Sequence, residues 1–149
     1  MAGFVAGTCD ILSATIVYGP ILGKVSPLKL LQGITSALIG KTAFEGGALT
    51  AFCGLLIHYC IAYSFATLFV LAYPHLPVLK KYKVVSGLLY GIFAWVVMNV
   101  IVLPVIGYTH FTFSLIPSIR SAVILMLAIG LPISLITAKY YRPANKDLM

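Results

Sequence analysis

ALTAFCGLLIHYCIAYSFATLFVLAY, residues 48 to 73, decides the class of fold. No Asp, Glu, Lys or Arg occurs between Glu45 and Lys80. A helix of about 20 apolar residues crosses a hydrocarbon core of roughly 30 Å with its backbone polar groups satisfied internally. His58 stands near the middle of this run. A ring that hydrogen-bonds and titrates near neutral pH is costly at that depth, which makes His58 a candidate functional residue.

The rest of the chain repeats the pattern. Apolar stretches at residues 2–22, 84–106 and 119–140 complete four expected spans. The expected fold is therefore all-α, a polytopic membrane bundle forming one integral domain over residues 1–149. Composition agrees: 61% of the residues are hydrophobic and 9% charged, against about a quarter charged in a soluble domain. Mean hydropathy is +1.07.

Small residues recur at four-residue spacing along the spans. Gly3 and Gly7 lie in the first, with Gly54, His58, Ala62 and Ala66 in the second. Gly87 and Gly91 lie in the third, a row that Trp95 and Asn99 continue, and Gly130, Ser134 and Ala138 in the fourth. Such rows let helices approach closely, so His58 is expected in a helix–helix contact rather than facing lipid. Pro104 and Pro132 are expected kinks, and Tyr18-Gly19-Pro20 weakens the end of the first span.

Between the first two spans, Ser26-Pro27 signals a helix start and Gly40 a stop. The helix over 27–39 places Leu30, Leu31, Ile34 and Leu38 on one face, and Lys29, Gln32 and Ser36 on another. It rises only about 20 Å, too short to span. An amphipathic helix anchored at the membrane surface is the expected reading, with a re-entrant, pore-lining segment as the alternative. Gly46-Gly47 then gives a tight entry to the second span, and Glu45 reads as a first-turn acid or a ligand-binding group.

Charge sets the expected orientation. There are ten basic residues against three acidic ones. The 80–83 loop and the C-terminal tail carry six basic residues; Lys24, Lys29, Lys41 and Arg120 fall on the other side. Both termini are accordingly expected in the cytoplasm. The opening MAGFVAGTCD lacks a basic n-region and carries Asp10, so it does not read as a cleavable signal peptide. No basic stripe interleaved with exposed aromatics points to nucleic acid. Cys9, Cys53 and Cys60 all fall in apolar runs and read as small buried hydrophobes rather than a disulfide framework.

Depth links three polar residues. His58 and Asn99 each lie fifteen residues from the expected cytoplasmic ends of their spans, Tyr73 and Val84. Both are thus roughly 22 Å deep, with Asp10 shallower at about 10 to 15 Å. Asp10, His58 and Asn99 are candidates for one hydrogen-bonded cluster, with Tyr59, Tyr63 and Thr15 near enough to join it. Four roles are open to such a cluster. It fixes helix register; it serves as a proton relay or small-solute site; it belongs to a scaffold subunit that docks a membrane partner through GxxxG faces; or His58 ligates an intramembrane cofactor. Transport in a chain this small, with no visible inverted repeat, calls for a homo-oligomer. The cofactor is unknown, and a single histidine inside a span is a poor metal or haem set. GxSxG, P-loop, HExxH and CxxC motifs are all absent, so an enzyme is not expected.

The segments Gly7-Thr8-Cys9-Asp10, Leu31-Gln32-Gly33-Ile34, Gly46-Gly47, Gly54 with His58, Gly87 to Gly91 with Met98-Asn99 and Leu103-Pro104, and Gly130-Leu131-Pro132-Ile133 together resemble a family of uncharacterised small bacterial inner-membrane proteins. The resemblance runs over nearly the whole chain. It implies a multi-span bacterial inner-membrane protein and no particular activity. Some members of that family carry a histidine about five residues before the Gly-Leu-Pro of the last span; Leu125 stands there in this chain.

Overall fold

The computed structural model describes residues 1–23, 25–102, 104 and 115–141. All regular structure among them is helical. Four helices are long and apolar enough to cross a membrane: α1 (Ala2–Ile21), α3 (Gly47–Ala72), α5 (Lys83–Val102) and α6 (Leu115–Tyr140). Two shorter helices join them, α2 (Pro27–Ile39) and α4 (Pro77–Lys81). Helix α6 is described from Leu115, ahead of the expected 119, with Pro117 inside it. The expected interfacial belt of Tyr108, His110, Phe111 and Phe113 lies outside the described residues, as do Lys24 and the tail from Arg142.

The expected kinks take the form of wide π turns. These occupy Val17–Ile21, Val97–Val102 and Met126–Gly130. Each accompanies a proline: Pro20, Pro104 and Pro132. A proline ring clashes with the carbonyl four residues back, here Ile16, Val100 and Ala128. Widening the turn at or beside that carbonyl relieves the clash without breaking the helix.

Packing follows the rows of small residues. Gly3 and Gly7 of α1 lie against Tyr63, Tyr59 and Ala62 of α3. Gly87 and Gly91 of α5 lie against the backbone of Gly130 and Met126 in α6, where any Cβ would collide. Ser134 then donates to the Lys83 carbonyl at 2.7 Å, fixing the register of α6 on α5. Tyr90 crosses from α5 to donate to the Phe65 carbonyl at 2.6 Å. Its ring meets Phe69 edge-on, 4.8 Å between centroids, in a core completed by Ile129 and Ile133. Outside this core, Leu49, Phe52, Leu56, Leu68 and Leu71 of α3 are at least half exposed. A soluble monomer does not display an apolar surface of that extent.

Helix α2 turns part of its polar face to α3, while of its expected apolar face Leu30, Leu31 and Ile34 are half-buried and Leu38 is exposed. Ser26 caps it, accepting from the Lys29 N–H, and Gly40 ends it with a positive φ of 69°. Its polar residues other than Lys29 face inward. Gln32, Thr35 and Ser36 are buried, while Leu28, Leu38 and Ile39 are exposed. Gln32 donates to the Gly47 carbonyl at 2.9 Å and Thr35 to the Thr50 carbonyl at 2.6 Å, while the Leu31 carbonyl packs on Gly54. Gly47, at φ +57°, makes the tight entry to α3 that this arrangement needs. The reason is local: the Gln32 amide and Thr35 hydroxyl gain bonding partners on α3, which leaves Leu28, Leu38 and Ile39 to face outward. Cys60 is a second departure, exposed rather than buried, and all three cysteines are free.

Candidate functional site

His58 is placed by the crossing of α1 and α3. Without a Cβ at Gly7, the two helices come close enough for the ring to reach the α1 backbone. The His58 Nε2–H donates to the Gly7 carbonyl at 2.9 Å. A carbonyl only accepts, so Nε2 carries the proton and, in the neutral ring, Nδ1 is left as an acceptor. Next to it, the Tyr59 and Thr8 hydroxyls share a hydrogen bond of 2.8 Å, and the Phe4 and Tyr59 rings stack.

Asp10 follows Gly7 by three residues and shares its face of α1. It is half-buried and lies one turn of α1 from the Gly7 carbonyl that His58 binds. Among the described residues its carboxyl makes no hydrogen bond. Of the expected cluster, His58 is thus bound at Gly7 with Tyr59 alongside, and Asp10 stands one turn further along α1.

The other candidates lie apart. Asn99 sits in the π turn of α5 and donates to the Trp95 carbonyl of its own helix at 2.9 Å. Glu45 is exposed between the 40–44 turn and α3. Tyr63 is exposed beneath Gly3. Thr15 makes no hydrogen bond among the described residues. Trp95, which the sequence grouped with the small-residue row, donates to Ser121 of α6 at 2.7 Å.

Above the Asp10–His58 pair, a groove of about 850 Å³ opens between α1, α2, α3 and α5. Ala14, Tyr18, Ile34, Ile57 and Met98 line it, and Lys29 is its one charged residue among those described. Ala14 is one helical turn beyond Asp10 on the same face, and Ile57 and Ile61 flank His58. No sequence signal marks this groove, because it depends on where α2 docks.

What the arrangement can do is bounded by its donors. A carboxyl and an imidazole with a free acceptor nitrogen can take up, share and release a proton, or hold a small cation. Among the described residues, no three of His, Cys, Asp and Glu come together as a metal site would require. The GxxxG faces that a docking partner would use are occupied inside the chain, by α3 on Gly3 and Gly7 and by α6 on Gly87 and Gly91. Compared with protein-family models, with curated proteins and with solved structures, the chain matches none.

Proposed function

We propose that this chain is a multi-pass protein of the bacterial inner membrane that passes protons, or a small solute with them, along the Asp10–His58 pair. The observation that carries the reading is their placement. An aspartate without a hydrogen-bond partner among the described residues stands one helical turn from the carbonyl that binds a histidine, inside a helix bundle and one turn below an apolar groove. Ionisable groups in that setting are costly and mark conduction or binding sites more often than helix contacts. The docking of α2 supports membrane embedding, since its exposed Leu28, Leu38 and Ile39 match a re-entrant helix facing lipid. A homo-oligomer in the bilayer is the working unit, and the termini face the cytoplasm. Supporting that orientation, Tyr73 stacks on Tyr141, so the ends of α3 and α6 meet at the end of the bundle bearing Lys80, Lys81, Lys83 and Lys139.

The test is proton flux. Proteoliposomes with a trapped pH-sensitive dye and a potassium–valinomycin potential receive an external acid step. The wild-type protein dissipates the pH gradient faster than empty liposomes, and Asp10→Asn returns the rate to that of empty liposomes. Equal leakage from wild-type, variant and empty liposomes sinks the proposal.

A further inference from the structure

A second groove lies on a different face of the bundle and owes nothing to Asp10 or His58. It measures about 640 Å³ and is formed by α1, α3 and α6. Val5, Val70 and Ile136 give it apolar walls; Lys139 and Tyr140 also line it. Thr137, only 1% exposed, is also among its lining residues. The Thr137 hydroxyl is the one buried side-chain polar atom with no hydrogen-bond partner among the described residues. A buried hydroxyl without a partner is unfavourable, and native structures seldom keep one unless a ligand or water completes it. Thr137 supplies a donor, Lys139 a cation on a flexible stem, and the walls accept hydrocarbon.

We infer that this groove holds one anionic phospholipid, with an acyl chain against Val5, Val70 and Ile136. An ester or phosphate oxygen accepts from the Thr137 hydroxyl, and the phosphate pairs with Lys139. Charge complementarity selects this occupant. Residues 70–86 and 134–141, which build this end of the bundle, hold Lys80, Lys81, Lys83 and Lys139 and no carboxylate. A basic rim attracts anionic headgroups and gives no preference for neutral ones. The apolar walls favour a lipid over free phosphate, which has nothing to place there.

The test is native mass spectrometry of the full chain, stripped of lipid in detergent. It is titrated with phosphatidylglycerol or phosphatidylcholine of identical acyl chains. The wild type retains a single phosphatidylglycerol in preference to phosphatidylcholine. Lys139→Ala lowers its occupancy constant about fivefold, as expected for one lysine near the headgroup. Thr137→Val, close in shape, lowers it without lowering the melting temperature, since the variant removes an unpartnered hydroxyl. Lys81→Ala, a basic site outside the groove, lowers it less than Lys139→Ala does. Equal retention of the two lipids overturns the inference, as does serial binding with no single tight step. An effect of Lys81→Ala equal to that of Lys139→Ala overturns it too, because the attraction then belongs to the whole basic end. All of these readings are independent of proton flux, so this inference and the proposed function stand or fall separately.

Discussion

The imidazole of His58 donates to the backbone carbonyl of Gly7, 2.9 Å away on the neighbouring helix. The carbonyl belongs to a helix, so His58 adds a second donor to it and ties α3 to α1 through a group that no substitution in α1 removes. Glycine at position 7 is what permits the approach, since a Cβ there would press on the Tyr59 ring and Ala62. One residue is therefore both a helix tie and half of the ionisable pair.

That double role predicts coupling between His58 and Asp10. His58→Ala is expected to destabilise the detergent-solubilised protein by about 1 to 2 kcal/mol, the range for an interhelical hydrogen bond in a membrane bundle. Asp10→Asn alone is expected to change stability less. If the two side chains interact, the double variant departs from the sum of the single ones by about 0.5 kcal/mol or more. Thermal unfolding followed by circular dichroism measures all three. Purely additive losses remove the pair as an interacting unit.

The contact of α5 with α6 gives a sharper steric prediction. Gly91 faces the backbone of Met126, and Gly130 faces that of Gly87, so neither site has a flexible neighbour that can move aside. Gly91→Ala and Gly130→Ala are each expected to lower stability by about 1 to 3 kcal/mol, as overpacking does in tight interiors. Gly19→Ala provides a control, because its nearest atom, the Val25 carbonyl oxygen, lies 3.6 Å from a built Cβ. Melting temperatures in detergent decide the matter. A Gly91→Ala protein as stable as Gly19→Ala would show that the two helices are not in this register.

The rows of small residues made these interfaces legible in the sequence, and the apolar runs made the spanning helices legible. Two things were not legible, for different reasons. Depth counting set His58 and Asn99 level, but depth carries no information about direction around a helix. Asn99 lies in the π turn Val97–Val102 and gives its amide to the Trp95 carbonyl of its own helix. Periodicity in α2 separated a polar from an apolar face, yet it could not say which faced the protein. Gly47 and Thr50 settle that, by offering carbonyls to Gln32 and Thr35.

The docking of α2 by its polar side predicts where a probe on it will sit. With Cys9, Cys53 and Cys60 replaced by alanine, nitroxide labels are attached at Leu38→Cys and Lys41→Cys in proteoliposomes. Leu38 is 66% exposed on the apolar side, so its label is expected to collide with dissolved oxygen, which concentrates in lipid. The Lys41 label, just past the helix end, is expected to collide with a water-soluble nickel chelate. Gln32→Ala, which removes the bond to Gly47, is expected to cost about 0.5 to 1.5 kcal/mol, the net worth of a hydrogen bond, because the exposed Gly47 carbonyl keeps the Thr50 hydroxyl as a donor. A Leu38 label reached mainly by the nickel chelate returns α2 to the membrane surface.

Orientation in the membrane follows from which end of the bundle carries the lysines. Tyr73 stacks on Tyr141 with 5.2 Å between ring centroids, and Ser134 holds the Lys83 carbonyl, so the 80–83 segment and the end of α6 form one basic end. Lysine and arginine near span ends are retained on the cytoplasmic side, and the opposite end carries Lys29, Lys41 and Arg120 among the described residues. In the same cysteine-replaced background, Lys81→Cys and Lys41→Cys are expected to behave oppositely in intact bacterial cells. A membrane-impermeant maleimide is expected to label position 41 from outside and to reach position 81 only after the membrane is permeabilised. Labelling of position 81 alone in intact cells inverts the topology. It would also put the second groove in the outer leaflet, so the anionic lipid it selects would then have to be drawn from that side.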